Sequence, residues 1–122
     1  MDKNKLNTLR RTRRKRGIRK RVYGTVDCPR LTVSRSLCHI YAQIIDDDAG
    51  VTICSASTRH KSIRDGISNG GNVAAAGAIG KALAESAIAK GLKKIRFDRN
   101  GYRYHGRLAA LADAVRKGGL EF

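Results

Sequence analysis

Apolar and polar residues alternate along two stretches near the middle of the chain. In residues 30–36, Leu31, Val33 and Arg35 fall on one side and Thr32, Ser34 and Ser36 on the other. From His39 to Asp46, Ile40, Ala42 and Ile44 oppose Tyr41, Gln43 and Ile45. Side chains on a strand point to alternate faces, so a period of two predicts two β-strands. Asp46-Asp47-Asp48-Ala49-Gly50 reads as a turn whose acids face water, and Val51 to Ser57 continues as a third strand. Three strands with short connections make an antiparallel meander.

The period then lengthens. Residues 58–72 are polar and end in Ser68-Asn69-Gly70-Gly71-Asn72, where Asn72 or Ser68 can cap a helix. Val73, Ala76, Gly80, Leu83 and Ala87 recur at steps of three and four, which predicts a helix of about five turns with this stripe on a sheet and a stop at Gly91-Leu92. The interior glycines Gly77 and Gly80 each cost about 1 kcal/mol of helix propensity, which implies a backbone lying very close to the sheet. Lys93 to Asp98 reads as a fourth strand, parallel to an earlier one because a helix separates them. A loop runs from Asp98 to Gly106, and Leu108, Leu111, Ala112 and Val115 form the inward face of a last helix that stops at Gly118-Gly119. The order βββαβα predicts an α/β domain: a mixed four-stranded sheet of ribonuclease H-like topology with helices packed against it.

Charge changes the picture at the N-terminus. The 122 residues hold 26 Lys or Arg and 10 Asp or Glu, a net +16, and residues 1–26 alone hold 11 basic side chains and one acid. The chain therefore divides into a basic arm, residues 1–26, and a single domain, residues 27–122. Arg10, Arg11, Arg13, Arg14, Lys15, Arg16, Arg19, Lys20 and Arg21 crowd twelve positions. Without counter-anions such a segment repels itself, so in water it is expected to be largely disordered or a frayed helix. Its natural ligand is a polyphosphate, because Lys and Arg release counterions when they meet phosphates. A membrane-surface helix needs a broad apolar face, and the arm has only Leu6, Leu9, Ile18 and Val22. No stretch reaches the roughly 20 apolar residues of a membrane span and the N-terminus has no apolar signal core, so a soluble intracellular protein with reduced cysteines is expected.

Enzyme readings fail at particular residues. A P-loop needs Gly, four residues, then Gly-Lys-Ser/Thr, but Gly80-Lys81 is followed by Ala82 and has Ala75 at the leading position. Gly70-Gly71 ahead of a helix could hold one phosphate on backbone amides, but Gly-Gly is ordinary turn chemistry and a plain loop is the preferred reading. Cys28, Cys38, His39, Cys54 and His60 lack the paired spacing of structural zinc sites, so the cysteines are expected to pack as small hydrophobes and no metal or cofactor is implied. A metal-dependent nuclease of ribonuclease H-like fold needs an acid on the first strand, and Leu31 to Ser36 contains none; Glu85 and Asp98 alone do not make a two-metal cluster. That nuclease and a generic basic nucleic-acid binder are the alternatives to the reading below.

Residues 97–107 gather two Tyr, one His and three Arg in a chain of only six aromatics, the composition of an RNA-recognition loop that stacks bases and contacts phosphates. Pro29-Arg30-Leu31-Thr32-Val33-Ser34-Arg35-Ser36, His39-Ile40-Tyr41-Ala42-Gln43, Ser55-Ala56-Ser57-Thr58, Phe97-Asp98-Arg99 through Tyr102-Arg103-Tyr104-His105-Gly106-Arg107, and the closing Gly119-Leu120-Glu121-Phe122 together resemble the bacterial-type eighteenth protein of the large ribosomal subunit. The resemblance spans nearly the whole chain; Ser34 departs from it, standing where the family often has an aromatic, and so does Leu37-Cys38, where the family is usually polar or basic. It implies a non-catalytic protein of the cytoplasmic ribosome that binds 5S rRNA and helps attach it to the large-subunit rRNA in the central protuberance, beside another 5S-binding ribosomal protein. No membrane and no small-molecule substrate is implied. It makes Arg30, Arg35, Ser36, His39, Tyr41, Arg99, Tyr102, Arg103, Tyr104, His105 and Arg107 candidate RNA-facing residues alongside the arm from Arg10 to Arg21.

Overall fold

The alternating segments pair as their period predicts. In the computed structural model, which describes residues 3–19, 22–36, 39–58, 73–102 and 104–122 (Arg19 by its backbone alone), four strands form one sheet. They are β1 (Arg30–Arg35), β2 (Ile40–Asp46), β3 (Val51–Ser57) and β4 (Arg96–Asp98), in the order β3-β2-β1-β4. The meander is antiparallel and β4 runs parallel to β1, with Leu31 opposite Phe97. The sheet is mixed and the domain α/β, as expected. β4 is shorter than the segment from Lys93 to Asp98, because Lys94 bridges to Glu121 instead of β1.

Leu31, Val33, Ile40, Ala42, Ile44, Cys54 and Ala56 bury one face of the sheet. Two helices, α2 (Val73–Ala89) and α3 (Arg107–Lys117), complete the core with Ile79, Leu83, Leu108, Leu111 and Val115. Each such Leu or Ile contributes about 1.5–3 kcal/mol, which outweighs the helix penalty of an interior glycine. All four residues expected on the inward face of α3 are fully buried. In α2 the expected Val73 is exposed, since the helix meets the core only from Ala75 onward. Asn72, Ser68 and Gly70-Gly71, named above as cap and phosphate loop, lie outside the described residues, as do Cys38 and His60.

Gly91 and Leu92 end α2 as the sequence predicts. Gly91, at φ 84°, donates to the Ile88 carbonyl and Leu92 donates to the Ala87 carbonyl, the two bonds of a Schellman motif. Gly80 serves a different neighbour from the one expected. A Cβ there would stand 2.6 Å from the Leu111 carbonyl oxygen and 2.8 Å from Ala114 Cβ, so the glycine lets α2 touch α3 and not the sheet. At Gly77 a Cβ would meet nothing within 4 Å.

The acids of the turn after β2 are structural rather than simply hydrated. An irregularity in the β2–β3 register follows Ile44, and Asp46 beyond it is buried, its Oδ1 accepting from the Asp48 amide at 3.0 Å. Asp47 accepts from the Gly24 amide at 2.7 Å, and Asp48 from the Tyr23 hydroxyl at 2.9 Å, which raises the Tyr23 pKa. The segment before β1 is thereby tied to the β2–β3 turn.

The arm is a helix, α1 (Lys3–Arg19), where isolated charge repulsion predicts disorder or fraying. Its Lys, Arg and Leu side chains, none of them branched at Cβ, favour helix. Arg11, Thr12, Lys15 and Ile18 are half-buried, and the backbone at Arg11 and Lys15 closes on Gly101, an anchorage an isolated arm lacks. Among the described residues no helix is long and apolar enough to cross a membrane.

Candidate nucleic-acid interface

The seat of α1 is a tight turn just after β4. Asn100 and Gly101 both have positive φ, 56° and 80°, and the Tyr102 amide donates to the Arg99 carbonyl at 3.0 Å, a type I′ turn for which Asn-Gly is the preferred pair. Asp98 Oδ1 steadies it by accepting from the Asn100 amide at 2.8 Å. A Cβ on Gly101 would stand 2.6 Å from the Arg11 carbonyl oxygen and 3.3 Å from the Lys15 amide nitrogen. The α1 backbone thus rests on this glycine, and Arg14 Nε donates to its carbonyl at 3.0 Å. Asn100 and Gly101 were missed as site residues by sequence reasoning, although the Asn-Gly pair was a readable turn signal.

Tyr102 gathers the charge. The guanidinium carbon of Arg11 lies 5.0 Å and that of Arg35 5.1 Å from its ring centroid, both within cation–π range. Arg99 Nη1 donates to the Tyr102 carbonyl at 2.9 Å. Between α1 and the end of β1 opens a cleft of about 480 Å³ whose walls include Asn7, Arg11, Arg14, Arg35 and Tyr102. The structure therefore brings arm, first strand and loop together, three elements that are far apart in sequence.

Arg30 does not belong with them. It is 8% exposed, and its fork grips Asp47 through Nε at 2.9 Å and Nη2 at 3.0 Å while Nη1 donates to the fully buried Asp98 at 2.9 Å. The Asp47 carboxylate raises its pKa further, fixing the charge. Its place among the RNA-facing candidates is corrected: two buried or half-buried acids claim the side chain, and it joins β1 to β4 and the β2–β3 turn.

The other candidates sit as follows. Arg10, Arg13 and Arg16 are exposed on α1 and Lys15 is half-buried there. Arg35 and Ser36 are exposed at the end of β1, where the Ser36 carbonyl accepts from Arg107 Nη1 at 2.9 Å. His39 Nδ1 lies 3.0 Å from Thr58 Oγ1, and the ring is tilted against that of Tyr41 at 6.3 Å. Tyr104 is 45% exposed and meets Phe97 edge to face at 5.8 Å; Phe97 in turn stacks on Phe122. His105 is exposed. Lys20, Arg21, Arg103 and the side chain of Arg19 lie outside the described residues. Cys28 and Cys54 are free thiols, and burial pushes the Cys54 thiol above its ordinary pKa.

Over residues 5–122 the chain matches the model of the family described as ribosomal L18 of archaea, bacteria, mitochondria and chloroplasts. The large ribosomal subunit protein uL18 of Pelotomaculum thermopropionicum is 57% identical over 116 residues, 95% of this chain and 94% of the relative. The proteins of the same name from Thermotoga neapolitana and Rhodopirellula baltica are 51% and 48% identical over 122 residues, the whole of each chain.

Proposed function

From the chain's membership of the ribosomal L18 family, which makes it a structural constituent of the large ribosomal subunit in the cytoplasm and not an enzyme, we infer that it binds 5S rRNA. In this reading it helps attach that RNA to the large-subunit rRNA in the central protuberance, beside a neighbouring 5S-binding ribosomal protein. The observation that carries the reading is the joining of α1 to the Asn100-Gly101 turn, which sets Arg11, Arg14 and Arg35 around Tyr102 on one face. Arginine forks and tyrosine rings are the groups that take RNA phosphates and unpaired bases.

Three parts of the molecule divide the work. The arm, Arg10 to Arg21, supplies affinity by neutralising phosphates. Arg35, Ser36, His39 and Tyr41 with Arg99 to Arg107 supply the shape that discriminates one folded RNA from another. The nuclease alternative also lacks its carboxylate, because Asp98 is fully buried and accepts from both Arg30 and the Asn100 amide.

The test is a salt titration of binding to 5S rRNA with transfer RNA and DNA duplexes of equal length as competitors. Binding to 5S rRNA is expected to survive competition at physiological salt. Removing residues 1–21 should weaken it and reduce the slope of log affinity against log salt by about 0.7–0.9 for each phosphate that the arm neutralises. Equal affinity for every polyanion, collapsing together as salt rises, would reduce the protein to a generic basic binder.

A further inference from the structure

We propose that the cleft between α1 and the end of β1 is a preformed binding site for one phosphate group, held by the guanidinium groups of Arg11, Arg14 and Arg35. At about 480 Å³ it falls within the range of small-ligand sites, about 300–1,000 Å³, and has room for a phosphate with its attached sugar. Among the described residues no acid lies within 4 Å of the Arg11, Arg14 or Arg35 guanidinium groups; the ion pairs seen there, at Arg30 and at Arg116, lie elsewhere. Arg11 and Arg35 share one ring, so they are no farther apart than the sum of their two centroid distances, close to the Debye length of ~10 Å at 0.1 M salt. Their mutual repulsion persists until an anion enters.

The donors are also held in place beforehand. The Tyr102 ring carries the guanidinium groups of Arg11 and Arg35, and the Arg14 Nε bond to the Gly101 carbonyl leaves its two Nη groups for a ligand. Asn7 on the α1 wall adds an amide donor. Planar forks match phosphate oxygens two at a time. Because Arg11 and Arg14 come from the arm and Arg35 from the sheet, the same phosphate clamps α1 to the domain.

The ligand chemistry is a phosphate group, carried by an RNA backbone or free in solution; only the choice of RNA rests on the function proposed above. The experiment follows the arginine Nε–Hε resonances of the full chain by NMR at constant ionic strength. One titration uses inorganic phosphate against chloride, the other a short single-stranded RNA. Inorganic phosphate is expected to give saturating shifts concentrated on Arg11, Arg14 and Arg35. Arg35→Gln should weaken that saturation at least tenfold, while Lys81→Gln on the exposed face of α2 removes one charge and leaves it unchanged. Arg14→Gln provides the second reading if the sheet amides move in Arg35→Gln. Shifts that grow linearly over all the arm arginines, or equal weakening in Lys81→Gln, would overturn the site. Saturation by phosphate without any response to RNA would keep the site and overturn the RNA reading; response to RNA without saturation by phosphate would do the reverse.

Discussion

Gly101 lies directly under Arg11: the space where its Cβ would be is 2.6 Å from the Arg11 carbonyl oxygen. Two independent demands meet at this residue. Its φ of 80° is a conformation that costs an L-residue about 1–2 kcal/mol, and any side chain would also wedge α1 away from the turn. The basic helix is therefore positioned by a glycine almost ninety residues away in sequence, not by its own charges.

Gly101→Ala is expected to undock α1 and leave the core intact. Amide hydrogen exchange should show reduced protection across Lys3–Arg19 with β1, β2 and β3 still protected, and RNA affinity should fall. Unchanged α1 protection would mean that the arm is held by something other than the Gly101 seat.

Arg30→Ala should cost about 3–5 kcal/mol in urea unfolding, because it removes the guanidinium from which the fully buried Asp98 Oδ2 accepts at 2.9 Å. Arg30→Lys keeps the charge and loses the fork to Asp47, so it should fall between the two. The folded fraction of either variant should bind RNA as the parent does. A loss of RNA affinity in Arg30→Lys without loss of stability would return this arginine to the interface.

Arg30 and Arg35 also mark how far the sequence could be read. Alternation alone puts Arg35 on the side of Leu31 and Val33 and Arg30 on the other, yet Arg30 is buried and Arg35 exposed. Arg35 ends its strand beyond the core, and Arg30 is covered by Asp47 from a turn seventeen residues later. Strands and both helix stops were legible because period and glycine endings, Gly91-Leu92 and Gly118-Gly119, are local. The loop of Tyr102 and Arg107 stood out through composition alone. The α1 helix, the choice of α3 as the partner of Gly80, and the arginine cleft were not legible, since each depends on which distant segment arrives next to it.

Burial raises the pKa of the Cys54 thiol, so the fold favours its neutral form. As pH rises the unfolded chain loses this proton first, near the ordinary thiol pKa of about 8.5. The contribution of Cys54 to stability is therefore whole below that pH and is lost as pH climbs through the folded value. Alkylation followed by peptide mapping should label the half-buried Cys28 well before Cys54, and Cys54 only at higher pH or on unfolding. Equal labelling rates near pH 8 would contradict the burial.

Gly77 and Gly80 look alike in the sequence, both inside one helix, and their alanine variants should change stability in opposite directions. At Gly77 the new methyl enters open space, so the helix gains about 0.5–1 kcal/mol from the entropy the unfolded chain loses. At Gly80 the same gain is overridden, because the methyl would meet the Leu111 backbone at 2.6 Å and Ala114 Cβ at 2.8 Å, and a rigid carbonyl cannot swing aside as a flexible side chain can. Prising α2 from α3 should cost about 1–3 kcal/mol, the usual range for overpacking. Urea midpoints of the two variants, compared with the parent, read the sign directly: Gly77→Ala higher, Gly80→Ala lower. Should Gly80→Ala also rise, the close approach of the two helices would not be what the glycine is there to permit.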